Sequence, residues 1–399
     1  SKIGLKRTMK ISEIDDDTYG RHSVDEGDIQ AVVDVLRSDN LTQGSVVPAF
    51  EDTLCRVVDV SYAVAVNSAT SALHIACLAL GVGPGDLVWT SAVTFVASAN
   101  CGISCGASVD FVDIDLRTGN MSVAALEAKL KAAALVNMLP KVLIPVHLAG
   151  EPCNMVEIYN LVHPYGVRII EDASHAIGAS QKSIAIGACT YSDITVFSFH
   201  PVKIITTGEG GAALTNQRDL ADAMQLLRSH GITKDPSQMV SEPDGPWYYE
   251  QIKLGFNYRM TDIHAALGLS QLKKLSGFIA ARRKIARRYD EFLNKNLMEL
   301  PTWGRDNKSS LHLYVIKVPE TYHKRIFQAL REQEIMVNLH YMPVYAHPFY
   351  AAMGFKRSDF PNAEKYYKSA ISIPIYPDLS QVDQDHIISL INQVCMPLT

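Results

Sequence analysis

Between about Tyr62 and Leu214 the chain alternates short, β-branched apolar runs with longer segments whose apolar residues recur at helical spacing. Runs at Ala63–Val66, Leu87–Thr90, Ser108–Val112, Val142–Val146, Val167–Glu171, Ile194–Phe197 and Gly211–Leu214 predict strands, with helices such as Ser71–Leu80 and Met121–Ala134 between several of them. Strands that are apolar on both faces belong in a sheet covered on both sides, so the pattern predicts an α/β fold around a mostly parallel seven-stranded sheet. After Arg259 the character changes. Asp262 to Asn296 carries apolar positions at helical spacing, with Arg282, Arg283, Lys284, Arg287 and Arg288 expected on the wet side, and predicts one long linking helix. Beyond it, strand-like Leu311–Val318 and Ile335–Asn338 and helical Tyr322–Gln333 and Gln381–Val394 predict a smaller α+β unit. The expected division is a large domain over residues 1–260 and a small C-terminal domain over residues 261–399.

Composition adds exclusions more than assignments. A chain of 399 residues with 47% hydrophobic and 20% charged residues is long enough for a substantial core and is neither fibrous nor disordered in type. A net charge of -5 argues against sequence-independent binding to nucleic acid, which needs a basic face. The N-terminal stretch lacks the apolar run of a signal peptide, and no uninterrupted apolar stretch of about 18 residues occurs. No membrane partner is expected, and the expected compartment is the cytoplasm. Seven scattered cysteines form no disulfide framework, and Cys101 and Cys105 lack the companions of a zinc site, so no metal is expected.

Three short segments supply chemistry at the predicted carboxyl ends of strands, the edge where open α/β sheets bind ligands. Asn67-Ser-Ala-Thr-Ser-Ala72 turns from strand to helix, where backbone N–H groups and the helix dipole suit a phosphate; a plain N-cap is the competing reading. Val167-Arg-Ile-Ile-Glu-Asp172 delivers a carboxylate, and such an acid can keep a pyridine nitrogen protonated so that the ring accepts electrons. His175 follows three residues on. Ser198-Phe-His-Pro-Val-Lys203 ends in a lysine just ahead of the glycine-rich Thr207-Gly-Glu-Gly-Gly211, so Lys203 is expected to project into a pocket, where its amine could form an imine and shuttle a proton. Alone, each segment has an ordinary structural explanation; together they point to one cofactor.

With Gly208-Glu-Gly-Gly-Ala212, Arg228-Ser-His-Gly231, Gly255-Phe-Asn-Tyr-Arg-Met260 and Val337-Asn-Leu-His-Tyr-Met-Pro-Val-Tyr345 added in this order, the sequence resembles the DegT-type nucleotide-sugar aminotransferases over nearly its whole length. The resemblance implies the fold of the aspartate-aminotransferase superfamily (fold type I) and pyridoxal 5′-phosphate (PLP) as cofactor. It implies Lys203 as the lysine joined to the cofactor, Asp172 as the partner of the pyridine nitrogen and His175 as a neighbour of the ring hydroxyl. Ala69, Thr70 and Ser198 would hold the phosphate, and Phe95 would stack on the ring, with a core phenylalanine as the competing reading. The resemblance also implies a homodimer whose partner subunit supplies Asn257 to the phosphate and Arg259 to the site mouth. Tyr19, Thr42, Gly44, His340 and Tyr345 are candidates for sugar and nucleotide contacts.

Within that family, Leu41-Thr-Gln-Gly44, Arg228-Ser-His-Gly231 and Leu267-Gly-Leu-Ser-Gln-Leu272 look most like the enzymes of pseudaminic acid synthesis that aminate C4 of a UDP-linked 4-keto-6-deoxy-N-acetylhexosamine, with L-glutamate as donor. Two departures bear on substrate rather than chemistry: Pro201 and Ile204 beside the lysine, and the Asp235–Trp247 loop. Another keto sugar, at C3 or C4 and on UDP or dTDP, is the alternative, as is a non-catalytic regulator that only binds PLP or a sugar nucleotide.

Overall fold

The computed structural model describes residues 19–303 and 307–396; the N-terminal stretch read above for a leader lies outside them. Seven strands make the central sheet: β1 (Tyr62–Val66), β2 (Leu87–Ser91), β3 (Ser108–Val112), β4 (Val142–Ile144), β5 (Arg168–Asp172), β6 (Ile194–Ser198) and β7 (Gly211–Thr215). Their spatial order is β1-β7-β6-β5-β4-β2-β3. Every pairing is parallel except the two that β7 makes, with β1 and with β6. β7 runs against the rest because the connection from Phe199 to Gly210 contains no helix, and without a crossover element the chain returns antiparallel.

Helices α1 (Glu26–Leu36), α2 (Val46–Val58), α3 (Ala69–Ala79), α4 (Ala97–Ser104), α5 (Val123–Leu135), α6 (Met155–Val162), α7 (Arg218–Arg228), α8 (Asp262–Leu272) and α9 (Leu275–Phe292) surround the sheet. The strands' period of two sorts their side chains. Val64, Val66, Ile170, Ile194 and Val196 join residues of α3, α4 and α7 on one face. Ala63, Ala65, Phe197 and Leu214 meet α2, α8 and α9 on the other, while Trp89, Leu143 and Ile169 meet α5 and α6. Both faces are thus apolar, which is why these strands read as continuous hydrophobic runs. In the C-terminal part, β8 (Tyr314–Lys317) pairs antiparallel with β9 (Ala370–Ile373), and α10 (Glu320–Glu332), the second half of α9 and the C-terminal helix Gln381–Val394 share a core with them.

The long linking helix is two helices. Between α8 and α9, Gln271 and Lys274 both engage the buried carboxylate of Asp28 on α1, a contact made across more than half the chain. Arg282 is also not on the wet side. It falls in the buried stripe of α9 with Ile279, Ile285, Ala286 and Tyr289, and its guanidinium donates to the carbonyls of Leu311, His312 and Ile375. Buried cations survive only with such acceptors. The expected strand at Ile335–Asn338 reduces to a single bridge between Asn338 and Ser372. We propose that the division expected near residue 260 lies within α9, whose first half (Leu275, Phe278 and Ile279) packs in the core under the large sheet while its second half (Ile285, Ala286 and Tyr289) enters the C-terminal core.

All seven cysteines are unbridged, and among the described residues no cluster of three or more His, Cys, Asp or Glu is placed to hold a metal ion. No helix there is long and apolar enough to cross a membrane.

Candidate active site

The carboxyl ends of β1, β2, β4, β5 and β6 open into a cavity of about 1030 Å³. Asn67 to Ser71, Thr94 to Ala97, Val146, Asp172, Ser174, His175, Ser198 and Lys203 line it from the sheet, and Asn338 to Met342 close it from the C-terminal part.

The start of α3 lines the cavity. The Ser68 side chain accepts from the Ser71 amide and its carbonyl from the Ala72 amide, so the N–H groups of Ala69 and Thr70, which have no acceptor within the helix, are left to the cavity. Ser198 stands beside them. β7 passes directly behind: a Cβ on Gly211 would come within 2.5 Å of the Ala69 nitrogen, so only glycine allows this approach. Two open amides, a helix N-terminus and the hydroxyls of Thr70 and Ser198 make a donor set suited to a phosphate.

Asp172 terminates β5, buried, and also lines the cavity. Both carboxylate oxygens accept hydroxyl protons, Oδ2 from Ser98 at 2.6 Å and Oδ1 from Ser174 at 2.6 Å, the latter oxygen also receiving the Ser174 amide at 3.1 Å. Such donors fix its orientation. A carboxylate held in this way can bind a protonated ring nitrogen.

Lys203 lines the same cavity, half-buried, in a turn closed by its own amide on the His200 carbonyl at 2.9 Å. Val202, Ile204 and Ile205 are buried on either side of it, each worth roughly 1.5–3 kcal/mol, so the backbone that presents the amine is anchored in the core. The departure at Ile204 is thereby explained as packing.

His175 is buried, and burial, then the charge of Lys203 and the neighbouring His340, hold its pKa well below the usual histidine value. The Ala149 amide donates to its Nδ1 at 3.2 Å, and its Nε2 is 3.1 Å from the Tyr341 hydroxyl. A nitrogen that accepts carries no proton, so the ring is the neutral Nε2–H tautomer. His312 packs against it with ring centroids 4.3 Å apart and is also held well below its ordinary value, by burial and then by His175 and Lys203. Burial and Lys203 bring His340 down to about 3.

These rings stay neutral in the folded protein but protonate near pH 6.5 once unfolded, so the unfolded state takes up more protons as pH falls. Their contribution to stability is full above about pH 6.5 and is lost progressively toward the folded values, about 3 for His340. Each ring adds up to about 1.4 kcal/mol of loss per pH unit. Urea midpoints measured from pH 7 to pH 4 are expected to fall steadily, and to fall less steeply in His312→Phe.

Of the residues expected from sequence, Lys203, Asp172, His175, Ala69, Thr70, Phe95, Ser198, Tyr19 and His340 all line this one cavity. Phe95 does so at 57% exposure, which removes the core reading. Tyr345 does not: it is buried against Phe111 and Phe360 and donates to Glu364 at 2.9 Å. Thr42 and Gly44 lie away from the cavity, Thr42 bridged to Thr261 and the Gly44 amide donating to Asp262 at 2.8 Å. Asn257 and Arg259 are also outside the lining; Asn257 is exposed, with its carbonyl against the Asn67 amide group. The Asp235–Trp247 loop stands off the cavity as well, above a short ladder of Ile232–Thr233 with Glu250–Gln251. Sequence reading missed Ser98, which holds Asp172 across 74 positions, and Tyr341, which faces His175. Ser98 carries no local signal; Tyr341 stands within a recognised motif beside His340.

A model of the DegT/DnrJ/EryC1/StrS aminotransferase family matches residues 22–392. This chain belongs to that family. It is 38% identical to the UDP-4-amino-4,6-dideoxy-N-acetyl-beta-L-altrosamine transaminase of Campylobacter jejuni, over 94% of this chain and 98% of that protein. Among solved structures it is similar to Helicobacter pylori PseC, an aminotransferase of pseudaminic acid biosynthesis, with a TM-score of 0.84 at 31% identity over 94% and 98% of the two chains. The PMP form of Spr1654 from Streptococcus pneumoniae superimposes with a TM-score of 0.86 at 30% identity, over 94% and 98%. The chain is therefore a PLP-dependent nucleotide-sugar aminotransferase, as its motifs implied. The cavity fits the cofactor on its own evidence, with open helix amides and hydroxyls suited to a phosphate, an oriented acid and an amine all lining one space.

Proposed function

We propose that this DegT-family enzyme moves the amino group of L-glutamate to C4 of UDP-2-acetamido-2,6-dideoxy-hexos-4-ulose, in a pathway of the pseudaminic acid type. The observation that carries the reading is the convergence of Lys203, Asp172 and the α3 N-terminus in one cavity, joined to relatives whose names specify a UDP-linked 4-amino-4,6-dideoxy sugar. PLP supplies an electron-accepting ring that carries the amino group between substrates. Asp172 would hold the ring nitrogen, His175 would offer its Nε2–H toward the ring hydroxyl, and the amides of Ala69 and Thr70 with the Ser198 hydroxyl would bind the phosphate. The Lys203 amine takes the proton from the donor's α-carbon and, in the second half-reaction, returns one to sugar C4. Phe95 covers the ring face and Tyr19 and His340 contact the sugar.

The enzyme works as a homodimer in the cytoplasm. No arginine lines the cavity among the described residues, yet the donor's carboxylates and the nucleotide's diphosphate need cations. Arg259 and Asn257 from a second copy would complete the site, and the exposed Trp247 and Leu254 suit a covered face.

Incubation with L-glutamate and the UDP-keto sugar is expected to release 2-oxoglutarate and yield one aminated sugar nucleotide. Mass spectrometry and NMR of the product identify the carbon. Amination at C3, or turnover only with a dTDP sugar, would replace this substrate with the alternative.

A further inference from the structure

The segment Val146–Glu151 behind His175 holds a buried pair that the proposed chemistry does not use. His147 is fully buried, and its Nε2 lies 2.7 Å from Glu171 Oε2. Its Nδ1 accepts the Cys153 amide at 2.9 Å. Burial disfavours a charged ring and its surroundings, the Glu171 carboxylate among them, favour one, but an accepting Nδ1 has no room for a second proton, so the ring donates from Nε2. Glu171 sits one residue before Asp172. Burial alone would raise its pKa; the donors His147, Ser192 and Thr195 instead leave it below the ordinary value. The His147 amide donates to the Asp172 carbonyl at 3.1 Å, so His147 is tied to Asp172 by its main chain and to Glu171 by its side chain.

The segment then turns sharply. Ala149 has φ +60°, the left-handed region that costs a non-glycine residue about 1–2 kcal/mol. Its amide is the one that donates to His175 Nδ1. Gly150 follows at φ +88°, packed so closely that a Cβ would lie 2.9 Å from the His175 carbonyl. A strained residue persists only where its surroundings over-determine it, and here the anchors are the His147–Glu171 pair on one side and the Ser310 and Leu313 amides on the Gly150 and Ala149 carbonyls on the other.

We propose that His147 is a positioning residue: paired with Glu171, it holds the Val146–Glu151 turn so that the Ala149 amide fixes His175 as the Nε2–H tautomer, a donor into the cavity. The functional half of this rests on His175 acting at the cofactor ring; the tautomer half does not.

The test uses the PLP-loaded enzyme with ¹⁵N-labelled histidine, its His175 signals assigned by loss in His175→Gln, and no substrate present. Wild type is expected to show His175 as the Nε2–H tautomer. The double variant His147→Leu with Glu171→Gln removes donor and buried charge together, and is expected to give a mixture of tautomers with kcat lowered by about 10- to 100-fold and KM nearly unchanged. His147→Gln keeps a donor toward Glu171 and is expected to restore the tautomer. Should the double variant not fold, Glu171→Gln alone is read in its place, with a partial shift expected. An unmixed Nε2–H signal in the folded variant, or a full kcat despite mixed tautomers, overturns the proposal. Because the tautomer is read without sugar, its outcome is independent of which keto sugar is the substrate.

Discussion

Replacing Lys203 with alanine is expected to abolish amino transfer, by at least about 10³-fold in kcat, the scale of a lost positioned acid–base group. The lysine lines the same cavity as the α3 N-terminus and the carboxylate of Asp172, and its neighbours Val202, Ile204 and Ile205 are buried. Truncating the side chain therefore removes the amine without loosening the turn that carries it. The phosphate donors remain, so the variant should still bind PLP while losing the covalent link. Two measurements check this: 2-oxoglutarate release from L-glutamate, and borohydride reduction followed by peptide mapping, which should label Lys203 in the wild type and nothing in the variant. Trapping at a different lysine would refute the assignment.

Asp172→Asn should leave the fold intact and lower kcat by about 10²- to 10³-fold, the scale of removing one preorganised electrostatic partner. The amide copies the shape of the carboxylate but has no charge with which to hold a ring nitrogen protonated. One of its ends also becomes a donor and must face Ser98 or Ser174, which now donate to both oxygens. Ser98→Ala should cost much less, because the second oxygen keeps its two donors from Ser174. Steady-state kinetics of the three proteins, with melting temperatures as the control for folding, order these effects. Equal losses in Asp172→Asn and Ser98→Ala would mean that orientation, rather than charge, is what Asp172 contributes.

The strands were legible because both sheet faces are covered, so each strand announces itself as an apolar run whatever its partners. The helix start at Ala69 was legible for a local reason too, the Ser68 cap acting on Ser71, three residues away. The motifs around Asp172, Lys203 and Asn67 fall at strand ends, and a sheet brings strand ends to one edge, so the sequence order of motifs already carried most of the site. Where the reading failed, the deciding contact was long-range. Arg282 has the composition of a surface residue but sits in the buried stripe of α9, one of its nitrogens donating to carbonyls from two later segments. Tyr345 belongs to a recognised motif, yet the Phe111 and Phe360 rings hold it in the core.

The amino-acid sequence by itself determined the sheet, the cofactor chemistry and many of the residues that line the cavity, because periodicity, caps and short motifs act over a few positions and need no partner to be read. Tertiary structure alone decided the protonation and aim of the groups: the hydroxyls on Asp172, the amide of Ala149 on His175, the break between α8 and α9. Each of those depends on a donor or acceptor brought from a distant segment, and hydrogen-bond geometry is sensitive to tenths of an ångström, which no pattern along the chain encodes.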